Sequence, residues 1–129
     1  MKDFTGKQIL ILDDDASIRQ SLDCYFEDLG FDTTLAQSGE QALDLFAQKN
    51  FDAAIVDLRL PGITGDQFIL KAHKINPHTA FIIYTGSANF ILNKELENAG
   101  VLHENIFSKP VSDLQLFEQA LEKLLSEDK

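Results

Sequence analysis

Four aspartates follow apolar runs in positions that could build a metal site. Asp13, Asp14 and Asp15 stand directly after the run ILIL, and Asp57 follows the run AAIV. Asp15 could cap a helix, but capping does not explain three neighbouring carboxylates. Carboxylates that meet in one cleft repel one another unless a hard cation joins them, and oxygen ligands with partial hydration suit Mg²⁺. The pattern therefore favours a magnesium site.

A hydroxyl and an ammonium group follow two further apolar runs. Thr85 stands in IIYTGS and Lys109 in FSKPV. Taken singly, Asp57 could open a Pro-Gly turn, Thr85 could be a strand-end hydroxyl and Lys109 a solvated lysine. Beside a metal-bound carboxylate they would suit phosphoryl transfer, in which an aspartate can be the nucleophile and form an acyl phosphate. The three histidines and the single cysteine show no ligand spacing, which argues against zinc.

Secondary structure must bring these residues together, and the alternation of apolar runs with helix-like segments predicts which elements do so. Five short apolar runs, three of them continuous, alternate with five helical patterns. Continuous runs are typical of strands covered on both faces, so we predict a doubly wound α/β sheet with helices on both faces. Ligands of such sheets bind beyond the carboxyl ends of the strands, which should unite the four polar segments. The predicted strands are Gln8 to Leu12, Thr33 to Ala36, Ala53 to Leu58, Ala80 to Thr85 and Ile106 to Ser108.

Glycines and capping patterns indicate where the helices begin and end. The first helix is predicted to end at Gly30, and the fourth, near Phe90 to Ala99, at Gly100. Capping boxes are predicted for the second and fifth helices, and they pair Ser38 with Gln41 and Ser112 with Gln115. The residues expected to be buried by the second, third and fifth helices are Ala42, Leu45, Phe46, Phe68, Ile69, Ala72, Ile75, Leu114, Phe117, Leu121, Leu124 and Leu125.

Composition restricts the classes of partner. The chain has 129 residues, which fits a single domain over residues 1–129 with a core of about 6–126. A net charge of −10 repels nucleic acid and anionic lipid, so we expect no direct binding to either. The sequence shows no secretory signal and no apolar stretch long enough to cross a bilayer, which predicts a cytoplasmic protein without a membrane contact.

Four segments resemble the signature of a known family. ILILDDDASIR, AIVDLRLPGITG, IIYTGSA and FSKPV are similar, in this order, to segments of the receiver domain of two-component response regulators. The resemblance covers essentially the whole chain. It implies a flavodoxin-like sheet with strand order 2-1-3-4-5 and a Mg²⁺-dependent transfer of phosphate from a phosphohistidine donor to an aspartate. Such a domain phosphorylates and dephosphorylates itself and is not expected to turn over external substrates.

The resemblance also implies a role for each site residue. Asp57 corresponds to the phosphoacceptor and to one metal ligand, and Asp13 and Asp14 correspond to the acidic pair that binds Mg²⁺. The family metal also takes the backbone carbonyl at the position of Arg59. Asp15 matches no family ligand, so the capping interpretation remains for it.

Two further polar residues match family positions that contact the phosphoryl group. Thr85 matches the hydroxyl that hydrogen-bonds it, and Lys109 matches the cation that pairs with it. The Lys109-Pro110 bond is expected to be cis, as in the family. The resemblance implies as partners a histidine kinase or a histidine phosphotransfer protein, together with an output domain or effector protein. Whether the domain forms a homodimer is left open.

The sequence departs from the family pattern at two places. Ile106 stands where many receiver domains carry an aromatic switch residue, three positions before the lysine. The segment GVLHENIFSKP is two residues longer than the commonest spacing, which is expected to reshape the loop before the fifth strand.

Two other functions fit parts of the pattern. A haloacid-dehalogenase-like phosphatase would use Asp13 as nucleophile with Asp15, Thr85 and Lys109. That interpretation leaves the segment around Asp57 unexplained, and the chain is short for such an enzyme. The other alternative is a scaffold of receiver shape that is never phosphorylated, which the presence of every expected site residue disfavours.

Overall fold

The computed structural model describes residues 3–87 and 90–126 and forms one five-stranded parallel sheet. The strands are β1 (Gln8–Leu12), β2 (Asp32–Ala36), β3 (Ala53–Val56), β4 (Ala80–Thr85) and β5 (Ile106–Ser108), in the spatial order β2-β1-β3-β4-β5. The predicted fold class and strand order are confirmed. Strand β2 begins one residue earlier than predicted, and β3 ends at Val56 rather than at Leu58.

Within the described residues, four α-helices and one 3₁₀ turn lie between the strands, and a fifth α-helix follows β5. The helices are α1 (Ala16–Asp28), α2 (Gly39–Gln48), α3 (Gly65–Ile75), α4 (Lys94–Asn98) and α5 (Gln115–Leu125), and the 3₁₀ turn spans His103–Asn105. This turn lies in the lengthened segment before β5, where the sequence predicted an altered loop. Within the described residues, no helix is long and apolar enough to span a membrane.

The sheet separates two apolar layers because alternate strand residues point to opposite faces. In β1, Leu10 and Leu12 pack with α2, α3 and α4, whereas Ile9 and Ile11 pack with α1 and α5. Strand β4 divides in the same way, since Ile83 belongs to the first layer and its neighbours on either side to the second. Helices therefore cover both faces, as predicted, and the carboxyl edge of the sheet is left for polar side chains.

The predicted helix ends are confirmed where glycine is required. Gly30 and Gly100 have φ values of 105° and 96°, a left-handed conformation that glycine adopts without strain. Their N–H groups donate to the carbonyls of Glu27 and Glu97, which closes the last turn of α1 and of α4. Both glycines thus stop a helix and turn the chain toward the next strand.

Three helix predictions were wrong in detail. Helix α4 begins at Lys94 rather than near Phe90, because the Asn93 side chain accepts a hydrogen bond from the Leu96 N–H and caps a short helix. The residue Ile75, expected in the core, is 49% exposed because it is the last residue of α3. Four leucines that were expected in the core are only partly buried, namely Leu45, Leu114, Leu124 and Leu125.

The capping boxes also differ from the prediction. Ser38 caps α2 through a 3.1 Å hydrogen bond from the Gln41 N–H, but the Gln41 side chain accepts from Gln37 rather than from Ser38. The box predicted from Ser112 and Gln115 does not form. The Asp113 carboxylate is two residues from the Gln115 N–H and accepts from it at 2.9 Å, so it takes the donor that the Ser112 hydroxyl would need.

Candidate functional site

Three carboxylates converge where β1 and β3 end. Asp13 is 2% exposed, Asp57 is 4% exposed, and Asp14 lies exposed beside them. Backbone hydrogen bonds continue past the strand ends, since Asp13 N–H donates to the Ala36 carbonyl and Asp57 N–H donates to the Leu12 carbonyl. One carboxylate oxygen from each aspartate lies within 4.8 Å of the others. The structure therefore brings together the three aspartates predicted as metal ligands.

Lys109 supplies a cation to this cluster. Its Nζ lies 2.8 Å from Asp13 Oδ2 and 3.1 Å from Asp57 Oδ2, and its side chain is 18% exposed. The Lys109 N–H donates to the Thr85 carbonyl at 2.9 Å, which fixes the lysine backbone against the end of β4. The Lys109-Pro110 bond is cis, which confirms that prediction.

Burial and pairing act in opposite directions on the ionisable groups. Burial raises the pKa of the Asp13 carboxyl above its ordinary value, although hydrogen bonds from Lys109 and from the Asp15 N–H oppose this shift. Burial also lowers the pKa of the Lys109 ammonium, but the hydrogen bonds to Asp13 and Asp57 outweigh it and raise that pKa overall. The lysine therefore stays charged and acts as the counter-ion of two buried carboxylates.

Asp57 is held by a separate donor at each oxygen. Its Oδ1 accepts from the Arg59 N–H at 3.2 Å, and its Oδ2 accepts from Lys109. The Arg59 side chain is exposed. These two hydrogen bonds fix the orientation of the buried Asp57 carboxylate at the carboxyl edge of the sheet.

Thr85 reaches the same edge, but its hydroxyl is engaged locally. The residue is 2% exposed at the end of β4, and Oγ1 accepts from the Ser87 N–H at 3.2 Å. Asp15 does not join the cluster, since its carboxylate accepts from the N–H groups of Ser17 and Ile18 and caps α1. The capping interpretation of Asp15 is confirmed.

The sequence analysis missed three residues that shape this site. Arg19 donates from Nη1 to the Asp13 carbonyl at 2.7 Å and braces the turn that carries the acidic pair. Tyr84 contacts Lys109 through its ring. A Cβ at Gly65 would overlap the Asp57 carbonyl and lie 2.7 Å from the Leu58 Cα, so only glycine lets α3 start there. The second glycine of PGITG was the available sequence signal.

The oxygen atoms of the three clustered aspartates are the kind of donor that a divalent cation binds. Three aspartate oxygens within 4.8 Å form an oxygen-only set, which suits Mg²⁺. The ammonium of Lys109 already binds two of these carboxylates, which shows that the cluster accommodates positive charge. Residues Asp13, Asp14 and Asp57 therefore fit a hard cation.

Fold and site together define the class of protein. The flavodoxin-like sheet carries buried carboxylates, a lysine and a strand-end hydroxyl at its carboxyl edge, an arrangement suited to phosphoryl transfer. The chain belongs to the response regulator receiver domain family, whose model matches residues 9–121. It is therefore a phosphoacceptor signalling domain of the two-component type.

Individual relatives agree with this membership. Sporulation initiation phosphotransferase F of Bacillus subtilis is 30% identical over 120 residues, which cover 93% of this chain and 94% of that protein. A CheY-like receiver domain protein from Methanospirillum hungatei is 32% identical, with a TM-score of 0.82 over 93% of this chain and 94% of that one. The response regulator TrrA from Thermotoga maritima, solved in complex with Mg(2+)-BeF, is 25% identical, with a TM-score of 0.79 over 92% and 99% of the two chains.

Other relatives are longer proteins. The chain spans 32% of the length of the Regulator of RpoS of Escherichia coli, to which it is 32% identical over 109 residues. The similarity covers only about a third of that protein.

Proposed function

We propose that Asp57 accepts a phosphoryl group from a phosphohistidine donor and that the modified domain then changes its contacts with a partner. The observation that carries this proposal is the buried Asp57 carboxylate, held by the Arg59 N–H and by Lys109 at the carboxyl edge of the sheet. In the transfer, the phosphorus–nitrogen bond of the donor breaks, a bond from phosphorus to an Asp57 oxygen forms, and the departing imidazole nitrogen takes a proton.

The chain's own groups have distinct tasks in this reaction. Asp57 is the nucleophile, and the two donors on its oxygens keep it in line with the incoming phosphorus. Lys109 compensates negative charge. The Thr85 hydroxyl oxygen accepts from the Ser87 N–H, so its own hydrogen is left to donate to a phosphoryl oxygen.

The proposed cofactor is Mg²⁺, as the complex of TrrA suggests. Asp13, Asp14 and Asp57 would hold the ion, together with the Arg59 carbonyl that the family resemblance implies. When bound, it would neutralise charge on the phosphoryl oxygens. The oxygen-only donor set and the affinity of the cluster for an ammonium support this assignment.

The proposed partners follow from the family. A histidine kinase or a histidine phosphotransfer protein would be the donor, and an output domain or effector protein would receive the signal in the cytoplasm. An output of the whole protein is likewise only proposed, because the chain spans about a third of the length of longer relatives such as the Regulator of RpoS. A phosphatase with Asp13 as nucleophile is not favoured, because Asp15, its required partner, caps α1 outside the carboxylate cluster.

Acetyl phosphate with Mg²⁺ tests the proposal on the isolated chain. Intact mass should increase by one phosphoryl group, and Asp57→Asn should abolish the increase. Asp44→Asn, an exposed aspartate of α2, is the matched control and should react like wild type. Labelling that persists in Asp57→Asn and maps to Asp13 would overturn the assignment in favour of the phosphatase. No labelling of any form would favour the unphosphorylated scaffold.

A further inference from the structure

Tyr84 contacts both Lys109 and Val111, on either side of Pro110. It is the residue before Thr85 in β4, is 7% exposed and packs in the layer of α1 and α5. Its ring centroid lies 5.6 Å from Lys109 Nζ, a distance at which an aromatic face attracts an ammonium group. Its hydroxyl accepts a hydrogen bond of 3.1 Å from the Val111 N–H.

These contacts account for all the backbone donors of the Lys109–Val111 tripeptide. Pro110 has no N–H, so Lys109 and Val111 provide the two donors of this turn. The Lys109 N–H donates to the Thr85 carbonyl at 2.9 Å, and the Val111 N–H donates to the Tyr84 hydroxyl. Two consecutive residues of β4 therefore hold the turn on both sides of Pro110, one through its backbone and one through its side chain.

The hydroxyl of Tyr84 is not needed to fill the core. Its ring packs edge-on against Phe117 of α5, with centroids 5.0 Å apart and an interplanar angle of 80°, and phenylalanine could make the same contact. Phenylalanine could not accept the hydrogen bond from the Val111 N–H. This N–H would then lose its partner in a half-buried turn. The choice of tyrosine thus relates to the turn after Lys109 rather than to packing.

We propose that Tyr84 is a positioning residue for Lys109. Its hydroxyl fixes the backbone after the lysine, and its ring lies against the ammonium, so that Nζ reaches both Asp57 and Asp13. The same ring contacts Phe117 of α5, which holds it in place against the lysine. This proposal rests on the proposed function of Asp57 and Lys109.

The chain offers a matched control in its other tyrosine. The Tyr25 hydroxyl donates to Glu118 Oε1 at 2.9 Å and so also contacts α5, but the two ion pairs and the aromatic contact of Lys109 do not involve Tyr25. Tyr84→Phe and Tyr25→Phe each delete one hydroxyl and leave the ring. Tyr84→Leu removes the ring as well and keeps an apolar side chain.

The test measures the rate of phosphorylation by acetyl phosphate at saturating Mg²⁺, together with the order of the Lys109 side chain by ¹³C methylene relaxation in the unphosphorylated, metal-free protein. Tyr84→Phe should slow phosphorylation about fivefold, the effect of one lost hydrogen bond, and Tyr84→Leu about tenfold or more. Both should lower the order of the Lys109 side chain, and Tyr25→Phe should change neither quantity. Thermal unfolding of all three variants shows whether a rate loss merely follows stability.

The two readouts separate this proposal from the proposed function. If wild type is not phosphorylated, the function of Asp57 fails, while the order of Lys109 still tests Tyr84. If wild type reacts and Tyr84→Phe matches both its rate and its Lys109 order, Tyr84 is a packing residue only and the positioning role is overturned. Equal losses in Tyr84→Phe and Tyr25→Phe would also overturn it, because they would reflect a general loss of stability.

Discussion

The three clustered carboxylates have different environments, and this difference separates their roles. Asp13 and Asp57 are buried and share the Lys109 ammonium, so removing either one would take one of two carboxylate partners from a partly buried lysine. Asp14 is exposed, and within the described residues it makes no ion pair. Asp14 is therefore the residue at which metal affinity can be changed with the least effect on the metal-free protein.

We predict that Asp14→Asn weakens Mg²⁺ binding without destabilising the metal-free fold. The change removes one ligand charge, for which we expect about a tenfold loss of affinity. It also relieves repulsion from Asp13 and Asp57, so the melting temperature without metal should stay equal or rise. Calorimetric titration with Mg²⁺ and thermal unfolding measure the two effects.

Asp15→Asn is the matched control for that prediction. It removes the same charge one residue later, and asparagine caps a helix as well as aspartate does. Its Mg²⁺ affinity should therefore stay within about twofold of wild type. A wild-type affinity in Asp14→Asn, or an equal loss in both variants, would remove Asp14 from the metal site.

Among the helices and strands, the sequence predicted correctly the features that depend on local residue patterns. All five predicted strands are present, although β2 begins one residue earlier and β3 ends two residues earlier than predicted. The strand order that the family resemblance implied is confirmed. The three aspartates and Lys109, predicted at strand ends, lie together. The cap of α5 was wrong because Ser112 and Asp113 offer competing acceptors, and the pattern alone does not rank them. Tyr84 was missed because its contact with Val111 joins residues 27 apart along the chain, and no local periodicity encodes such a contact.

The junction between β3 and α3 shows how an element depends on one small residue. Gly65, the first residue of α3, has its Cα against the backbone of Asp57 and Leu58, and its N–H donates to the Leu58 carbonyl at 3.0 Å. The φ of Gly65 is not positive, so the requirement is for space rather than for a left-handed conformation. The start of α3 can therefore lie directly behind the proposed phosphoacceptor.

We predict that Gly65→Ala destabilises the protein and slows phosphorylation of Asp57. The added Cβ overlaps the Asp57 carbonyl, so α3 or the phosphoacceptor backbone must shift, at a cost of about 1–3 kcal/mol in the free energy of unfolding. Urea denaturation measures the cost. Gly86→Ala is the control, because a Cβ there would have no neighbour within 4 Å among the residues that the structure describes. Equal stability of the two variants would show that the junction tolerates a side chain.

At the scale of the whole molecule, α1 and α5 pack on the same face of the sheet although they lie at opposite ends of the chain. Phe26 and Phe117 bring their ring centroids to 6.2 Å, and the Tyr25 hydroxyl donates to Glu118 across 93 residues of sequence. These contacts close the fold between its first and last helices. The tyrosine contact contains an ionisable donor, so the stability of the whole domain should depend on its protonation.

We predict that the protein loses stability between pH 10 and about 12, partly through Tyr25. Burial, with the hydrogen bond to Glu118 and the nearby Asp113 charge, raises the pKa of Tyr25 from 10.0 to about 12. In this window the unfolded chain releases the tyrosine proton while the folded protein retains it, so the free energy of unfolding falls as pH rises. Lys109, whose pKa is also raised, acts in the same direction and is unchanged in Tyr25→Phe. Urea unfolding at several pH values should therefore give a shallower decline for Tyr25→Phe than for wild type, and parallel curves would contradict a coupling between this contact and global stability.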